Sequence, residues 1–217
     1  MLNHNLQQQG IALVENYLNT VEGNVMLGDL MSFDNGFAFQ NSSYQSSGDY
    51  RVITIKNVQD GYVDSSDAAY VSCIPAKMKS CCILHSGDAL LSLTGNVGRI
   101  GIVYESNLLL NQRVAKVVPF DKMLRGFLYF LLRHPAMKSR METISKGTAQ
   151  QNLSPVETLK LIISFDQNTI DSITDQLNAY YEQLVALFIE NKHLATLRDT
   201  LLPKLMSGEI DVSDVEI

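Results

Sequence analysis

The sequence predicts an α+β fold: one globular domain with a β-rich core and short helices, between a short N-terminal helix and a long C-terminal coiled-coil helix. Three observations predict it. Apolar residues recur at helical spacing near the N-terminus, short β-rich runs fill the middle, and a 3,4 repeat of apolar residues fills the end. The 217 residues divide into a helix at 1–22, a domain at 23–165 and a long helix with a tail at 166–217.

The N-terminal helix is predicted by apolar residues spaced three or four apart, namely Ile11, Val14, Leu18 and Val21. The middle of the chain is predicted to form strands because its apolar runs are short and are separated by Gly-containing turns. These runs cover 50–56, 88–94, 99–104 and 113–118.

Two short helices are predicted next, at 122–132 and from Pro135 to about Ser145, since Pro135 interrupts the helical spacing and Gly147 ends it. Ser154 is predicted to cap a further short helix, because proline follows it and Glu157 completes a capping box. The run 159–164 reads as a last strand.

The C-terminal helix carries a heptad pattern that starts after Asp166, the predicted N-cap. Eight of the ten a and d positions are apolar; the ten are Ile170, Ile173, Leu177, Tyr180, Leu184, Leu187, Asn191, Leu194, Arg198 and Leu201. A helix of ~36 residues spans about 54 Å, which is longer than the domain could cover, so the pattern predicts a partner helix. The alternative is a helix folded back on the N-terminal helix without a partner chain. Pro203 and Gly208 are predicted to end it.

Charge is distributed unevenly along the chain. The net charge is −6, but residues 1–165 carry 14 basic and 13 acidic residues, while 166–217 carry 3 and 10. The stretch 122–160 holds seven basic residues and two acids. This pattern favours a domain that can meet phosphates, with the net negative charge in a C-terminal element. An uneven surface without a binding role is the alternative.

Motifs for catalysis and for cofactors are not found in the sequence. Gly95, Gly98 and Gly101 follow a GxxGxxG spacing, which predicts a turn between strands and not a dinucleotide or ATP loop. The four histidines are scattered, and neither zinc-ligand pairs nor a nucleophile elbow occurs. We therefore expect a binding protein with no catalytic residue, metal or cofactor of its own.

The cellular setting is predicted from hydropathy and cysteine use. The longest apolar run has about six residues, far below the roughly 20 that a membrane span needs. The N-terminus has no signal-peptide pattern, and the three cysteines do not form a disulfide framework. A cytoplasmic protein with reduced thiols and no membrane contact is expected.

Two amide-rich stretches, 111–113 and 147–152, are candidates for DNA contact. Asn and Gln side chains can pair with adenine edges, and Arg can pair with guanine. The second stretch also precedes the helix start at Ser154 and follows Lys146, an arrangement that suits phosphates. Ordinary turn chemistry is the alternative explanation for both.

In several stretches the sequence resembles the specificity subunit of type I restriction–modification systems. They are Asn3–Gln9, Leu27–Leu30 with Asn35–Phe39, Arg51–Gly61, Leu93–Gly101, Leu110–Ala115, Gly147–Ser154 and Leu201–Ile210. The last, LLPKLMSGEI, is the most specific match. The resemblance runs nearly from end to end of the chain.

The resemblance implies a non-catalytic subunit that reads double-stranded DNA while methyltransferase subunits and a restriction subunit perform the chemistry. The family's usual chain has two target-recognition domains and two long paired helices, whereas this chain has one domain, one full helix and the tail of another. It therefore resembles a half-length form that reads half of a bipartite site, with the helix acting as a spacer. A second copy, or another half subunit, would complete the reader.

Two sets of residues follow from this interpretation. The predicted DNA contacts are Arg51, Lys56, Thr94, Asn96, Arg99, Gln112, Arg113, Lys146, Gln150, Gln151 and Asn152, with Arg51, Lys56 and Lys146 assigned to phosphates. The predicted partner-helix contacts are Ile173, Leu177, Tyr180, Leu184, Leu187, Asn191, Leu194 and Leu201.

Two other functions stay open at this point. The chain could be a recognition-domain fragment of a single-chain restriction–methylation enzyme. Against this, Leu201–Ile210 resembles the usual end of the conserved helix of specificity subunits. It could also be a coiled-coil adaptor that binds protein only.

Overall fold

The computed structural model describes residues 2–146 and 151–210. Its helices are α1 (Leu2–Thr20), α2 (Leu27–Leu30), α3 (Arg125–Arg133), α4 (Pro135–Ser145), α5 (Pro155–Leu159) and α6 (Gln167–Met206). Its strands are β1 (Asn24–Met26), β2 (Met31–Asn35), β3 (Tyr50–Ile53), β4 (Gly61–Tyr62), β5 (Ala69–Val71), β6 (Ile83–Leu84), β7 (Ala89–Ser92), β8 (Ile100–Ile102), β9 (Leu108–Leu110), β10 (Val114–Pro119) and β11 (Ile162–Ser164). The predicted α+β class, with a short first helix and a long last one, is confirmed.

The strands form a five-stranded sheet in the order β2-β10-β7-β8-β4 and a four-stranded sheet in the order β5-β3-β9-β6. Pairing is antiparallel except between β4 and β8 and between β3 and β9. The short pair β1–β11 joins the two ends of the domain, with Val25 opposite Ile163. The chain therefore enters and leaves the domain at the same place, next to both flanking helices.

The five-stranded sheet is covered on both faces. Leu91 and Ile100 belong to the large core cluster that contains α1, α3 and α6, whereas Leu90 packs with Ile53 and Leu108 of the other sheet. Successive side chains of a strand point to opposite faces, so β7 can contribute to both clusters. This explains why all four of its residues are buried.

Helix α3 lies at the centre of the helical layer. Every residue from Gly126 to Leu132 is buried. Asn178 of α6 accepts a hydrogen bond from Gly126 N (2.9 Å) and donates one to the Met123 carbonyl (2.8 Å). The Tyr129 hydroxyl donates to the Gly61 carbonyl at 3.1 Å, and burial raises the pKa of Tyr129 to about 12. Helix α3 thus ties the sheet to α6.

The first half of α6 packs on the body of its own chain. Its buried residues are Ile170, Thr174, Leu177, Tyr181 and Leu184, and α1 and α3 both contact it. Phe188 then lies against the rings of Tyr62 and Tyr104, at centroid distances of 5.7 and 5.4 Å. The fold-back alternative therefore describes the proximal part of this helix.

The buried residues of α6 coincide only in part with the a and d positions predicted from the sequence. Leu177 and Leu184 are fully buried inside the chain, Ile173, Tyr180 and Leu187 are half-buried beside them, and Leu201 is half-buried further along. Asn191 and Leu194 are exposed. The shift arises because α6 packs between α1 and α3, and a helix in a globular core buries a face with the 3.6-residue period. Contacts of the stripe with a second chain stay a prediction.

The distal half of α6 presents apolar side chains to solvent. Leu194, Leu197, Leu202 and Met206 are all exposed, the first by 51%. No helix of the described residues is long and apolar enough to span a membrane.

One predicted helix end was wrong. Helix α6 continues through Pro203, which lies inside the helix, and ends at Met206, less than one turn later. Gly208, with φ of +73°, provides the left-handed closing residue: Gly208 N donates to the Leu205 carbonyl (3.2 Å) and Glu209 N to the Lys204 carbonyl (3.0 Å).

Both helix caps predicted from the sequence are present. Ser154 caps α5 by accepting from Glu157 N at 3.3 Å, and Asp166 caps α6 by accepting from Asn168 N at 3.1 Å.

All three cysteines are free; Cys73 is exposed, and burial raises the pKa of the Cys82 thiol to about 11.

The two halves of α6 should respond differently to truncation. We expect Leu184→Ala to lower the free energy of unfolding by about 2–5 kcal/mol, because it leaves a cavity in the core. The matched variant Leu197→Ala removes the same atoms from an exposed site and should change the unfolding of the domain by less than about 0.5 kcal/mol. Urea unfolding at low protein concentration measures both, and equal losses would contradict this division of the helix.

Candidate nucleic-acid interface

The turn between β7 and β8 is the glycine-rich segment singled out in the sequence. Gly95 and Gly98 have φ values of +72° and +77°, which suit glycine. Gly98 N donates to the Ser92 carbonyl (3.1 Å) and Ser92 N to the Arg99 carbonyl (2.9 Å), so the turn is closed at its base. Asn96 is exposed at its tip. The predicted turn between two strands is confirmed, and it projects Asn96 and Arg99 beyond the sheet.

Helix α4 lies beside this turn. The helix begins at Pro135, and His134 is its N-cap residue. The His134 Nδ1 atom accepts from Ala136 N at 3.3 Å, and proline occupies the first helical position. Gly98 lies next to α4, since a Cβ built on it would lie 3.4 Å from the Met141 Cε atom, an ordinary van der Waals distance. Glycine is therefore favoured here by its positive φ and not by lack of space.

A pocket of about 270 Å³ opens between the glycine turn, α4 and the segment before α5. We call it the basic pocket. It is lined by Gly95, Asn96, Val97, Arg99, Lys138, Glu142, Ser145, Lys146 and Gln151. Four residues predicted to contact DNA thus meet in one place, although they come from three separate segments of the chain.

The basic pocket holds three cationic side chains and one carboxylate. Lys138, Glu142 and Lys146 follow one another at intervals of four residues, so one face of α4 and its C-cap residue Lys146 present them together. Arg99 reaches the pocket from the glycine turn. Such a cluster can bind a phosphate, and the amides of Asn96 and Gln151 beside it can bind base edges.

Arg99 is held in place by Gln59, which the sequence analysis did not identify. Arg99 Nη1 donates to Gln59 Oε1 at 3.3 Å, and Gln59 Nε2 donates to the Lys56 carbonyl at 2.8 Å. Lys56, another predicted contact, therefore lies on a loop tied to Arg99, with its side chain exposed. No sequence signal marks Gln59, because its contact with Arg99 joins loops 40 residues apart.

Thr94, Arg113 and Asn152 adjoin the pocket through the backbone. Thr94 faces Asn152 in an isolated antiparallel bridge. Leu93 N donates to the Arg113 carbonyl at 3.0 Å. Arg113 is exposed and has a φ of +70°, a conformation that is uncommon for residues other than glycine. These three predicted residues form a continuous border with the glycine turn.

Other predicted contacts lie elsewhere or cannot be placed. Gln112 is exposed next to Arg113, with its backbone N–H bonded to the Phe37 carbonyl at 2.9 Å. Arg51 is on β3 of the other sheet, where it donates to Ser65 Oγ and lies 3.4 Å from a carboxylate oxygen of Glu105. Lys192 of α6 approaches the same carboxylate at 3.7 Å, so Arg51 belongs to a network that anchors α6. Gln150 lies outside the described residues.

Sequence reasoning also missed Lys138 and Glu142. Both were visible in the basic stretch 122–160, but neither was selected as a contact. The four-residue spacing to Lys146 on a helix starting at Pro135 is the signal that could have found them. Within residues 2–146 and 151–210, His, Cys, Asp and Glu side chains form no group of three or more that could hold a metal ion.

Comparison with protein families identifies the domain. The family model for the type I restriction modification DNA specificity domain matches residues 20–181. This chain belongs to that family. The match includes the whole basic pocket and the first 15 residues of α6, and it ends before the exposed distal half.

Two curated relatives are specificity subunits. This chain is 34% identical over 102 residues to the HindI specificity subunit of Haemophilus influenzae, covering 46% of this chain and 22% of that protein. It is 26% identical over 168 residues to the EcoBI specificity subunit of Escherichia coli, covering 73% of this chain and 35% of that protein. The chain thus aligns with about a third or less of each relative.

Solved structures share the fold at low identity. The S subunit from M. genitalium superposes with a TM-score of 0.56 at 16% identity, covering 94% of this chain and 54% of that one. The HsdS subunit from Thermoanaerobacter tengcongensis gives 0.53 at 17% identity, covering 96% and 54%. The type IIG restriction endonuclease BpuSI gives 0.53 at 9% identity, covering 81% and 28%. At these identities the likeness concerns the fold alone.

Proposed function

We propose that this chain is a half-length DNA specificity subunit that reads one half of a bipartite site in double-stranded DNA and carries out no chemistry itself. The observation that carries the proposal is the basic pocket. There Asn96, Arg99, Lys146 and Gln151, each selected for DNA contact from its residue type, converge in a domain of the specificity family.

The chemistry of the pocket suits a DNA groove. Lysine and arginine supply affinity for phosphates, and Asn and Gln supply donor and acceptor pairs that match base edges. The exposed Gly95 keeps the rim of the pocket free of a side chain, so that a strand can approach the backbone closely. The domain can therefore position the DNA and discriminate between bases with the same surface.

We propose that the complete DNA reader contains either two copies of this chain or this chain and a different half-length specificity subunit. The chain covers 54% of each of the two solved S-subunit chains, and its residues 20–181 match one specificity domain. The exposed apolar side chains of distal α6 are available for pairing of helices. Methyltransferase and restriction subunits are proposed as further partners, in the cytoplasm.

The charge of the C-terminal segment supports this division of the molecule. Residues 166–217 carry 10 acidic and 3 basic residues, and α6 itself holds five of these acids and all three basic residues, so the segment disfavours contact with phosphates. We propose that this helix contacts protein, including the methyltransferase subunit, while the basic pocket contacts DNA.

A methylation map tests the function directly. The chain is co-expressed with its methyltransferase subunit in a host that lacks adenine methylation, and the genome is sequenced for modified adenines. We expect a new interrupted motif, and a palindromic one would support two identical copies. If methyltransferase co-purifies with the chain but no motif appears, either with this chain alone or after a different half subunit is also expressed, the proposed function is contradicted and a protein-binding adaptor is favoured.

Gln151→Ala tests the pocket as the reading surface. Loss of one base contact should reduce affinity for the target by about 1–3 kcal/mol and relax one position of the motif. Gln183→Ala removes the same group from the exposed surface of α6 and serves as the matched control. If the variant keeps both the affinity and the target motif of the parent chain, Gln151 does not contact a base.

Leu194→Asp tests the distal half of α6 as the pairing surface. Leu194 is 51% exposed, so the substitution should leave the domain folded while placing a charge in an apolar helix interface. We expect a dimer for the parent chain and a monomer for the variant in sedimentation at micromolar concentration. Thr196→Asp adds the same charge about 200° around the helix and should leave the dimer intact. A variant that stays dimeric would rule out this surface.

A further inference from the structure

Glu142 is the one carboxylate among the side chains that line the basic pocket. We propose that Glu142 is a specificity-determining residue that accepts a hydrogen bond from the exocyclic amino group of a cytosine, as part of a G·C pair read by the pocket. The inference rests on the proposed function, because it assigns one base pair of the half-site to one residue.

The Glu142 side chain is available for such a contact. It is half-buried, and its carboxylate forms no ion pair within 4.0 Å with any described residue, although Lys138 and Lys146 are its neighbours four residues away on either side. Its backbone carbonyl accepts from Lys146 N (3.2 Å) and Ser145 Oγ (2.8 Å), which fixes the end of α4. The backbone is therefore held in place while the carboxylate stays unpaired.

A carboxylate is costly at this position unless it binds a donor. DNA phosphates repel it, and a surface built only for phosphates gains nothing from a negative side chain among its lysines. Hydrogen-bond donors on DNA are confined to the bases, and in the major groove cytosine N4 is the donor that Asp and Glu side chains accept from. An unpaired glutamate here points to contact with a base edge.

The charge pattern of the pocket matches a G·C pair. In the major groove this pair presents two acceptors, guanine N7 and O6, next to one donor, cytosine N4. The pocket presents the reverse arrangement: cationic donors of Arg99 and Lys138 around one acceptor, Glu142. Arg99 also has a fixed orientation, because Gln59 holds one of its terminal nitrogens at 3.3 Å. We therefore assign guanine to the cations and cytosine to Glu142.

The test compares Glu142→Ala and Glu142→Gln with the parent in the complex with methyltransferase, by selection from duplexes randomised over the half-site. We expect Glu142→Ala to lose the preference for G·C at one position by at least about fivefold, with the other positions unchanged. Glu142→Gln should move that position towards A·T, since an amide can pair with adenine N6 and N7. Glu157→Gln is the matched control, because Glu157 is exposed on α5 outside the pocket and pairs with Lys160.

The outcomes separate the inference from the proposed function. If the Glu142→Ala variant binds every sequence more tightly and its motif is unchanged, Glu142 serves only to reduce the positive charge of the pocket. That result overturns the inference. Relaxation at a position that is A·T in the parent motif overturns the assignment to cytosine. A parent complex that selects no motif, either with this chain alone or with a different half subunit added, refutes the proposed function itself. Thermal unfolding of each variant shows that changes in preference do not arise from loss of the fold.

Discussion

The contact between α3 and α6 is the constraint on which the rest of the structure depends. A Cβ on Gly126 would lie 2.6 Å from the Leu177 backbone, so the two helices meet at a distance that only glycine permits. Asn178 secures the contact with two hydrogen bonds to the chain around α3, and the Tyr181 hydroxyl donates to the Gly87 carbonyl at 2.7 Å. The contact orients α6 relative to the sheets, and hence relative to the basic pocket.

This docking also explains why half of α6 is left without cover. A 40-residue helix is about 60 Å long, and α1 with its 19 residues can lie beside only part of it. Phe188 between Tyr62 and Tyr104, and Lys192 at Glu105, connect the helix to the body near the point where it emerges. Beyond them the apolar residues have no partner among the described residues of the chain, which is the arrangement expected of a helix that spaces two domains by pairing.

The basic pocket depends on a different physical device, the meeting of a tight turn with a helix. Positive φ values at Gly95 and Gly98 bend the chain between β7 and β8, and the bend places Arg99 opposite the lysines of α4. The turn supplies Arg99 and Asn96, the helix and its C-cap supply two lysines and the carboxylate, and the segment before α5 supplies Gln151. Together they place three cations and two amides around one carboxylate, and that mixture can both attract phosphates and distinguish bases.

The sequence by itself determined the features that depend on neighbouring residues. These include the caps at Ser154 and Asp166, the glycine turn, the helical periods and the acidity of the last helix, since each follows from backbone geometry or charge within a few positions. The tertiary structure alone decided which residues meet. It joined Arg99 to Lys138 and Gln151, paired Arg51 with Glu105, and turned Leu177 and Leu184 inwards. Those outcomes depend on contacts between residues far apart in the chain, and local spacing carries no information about which distant surfaces pack together.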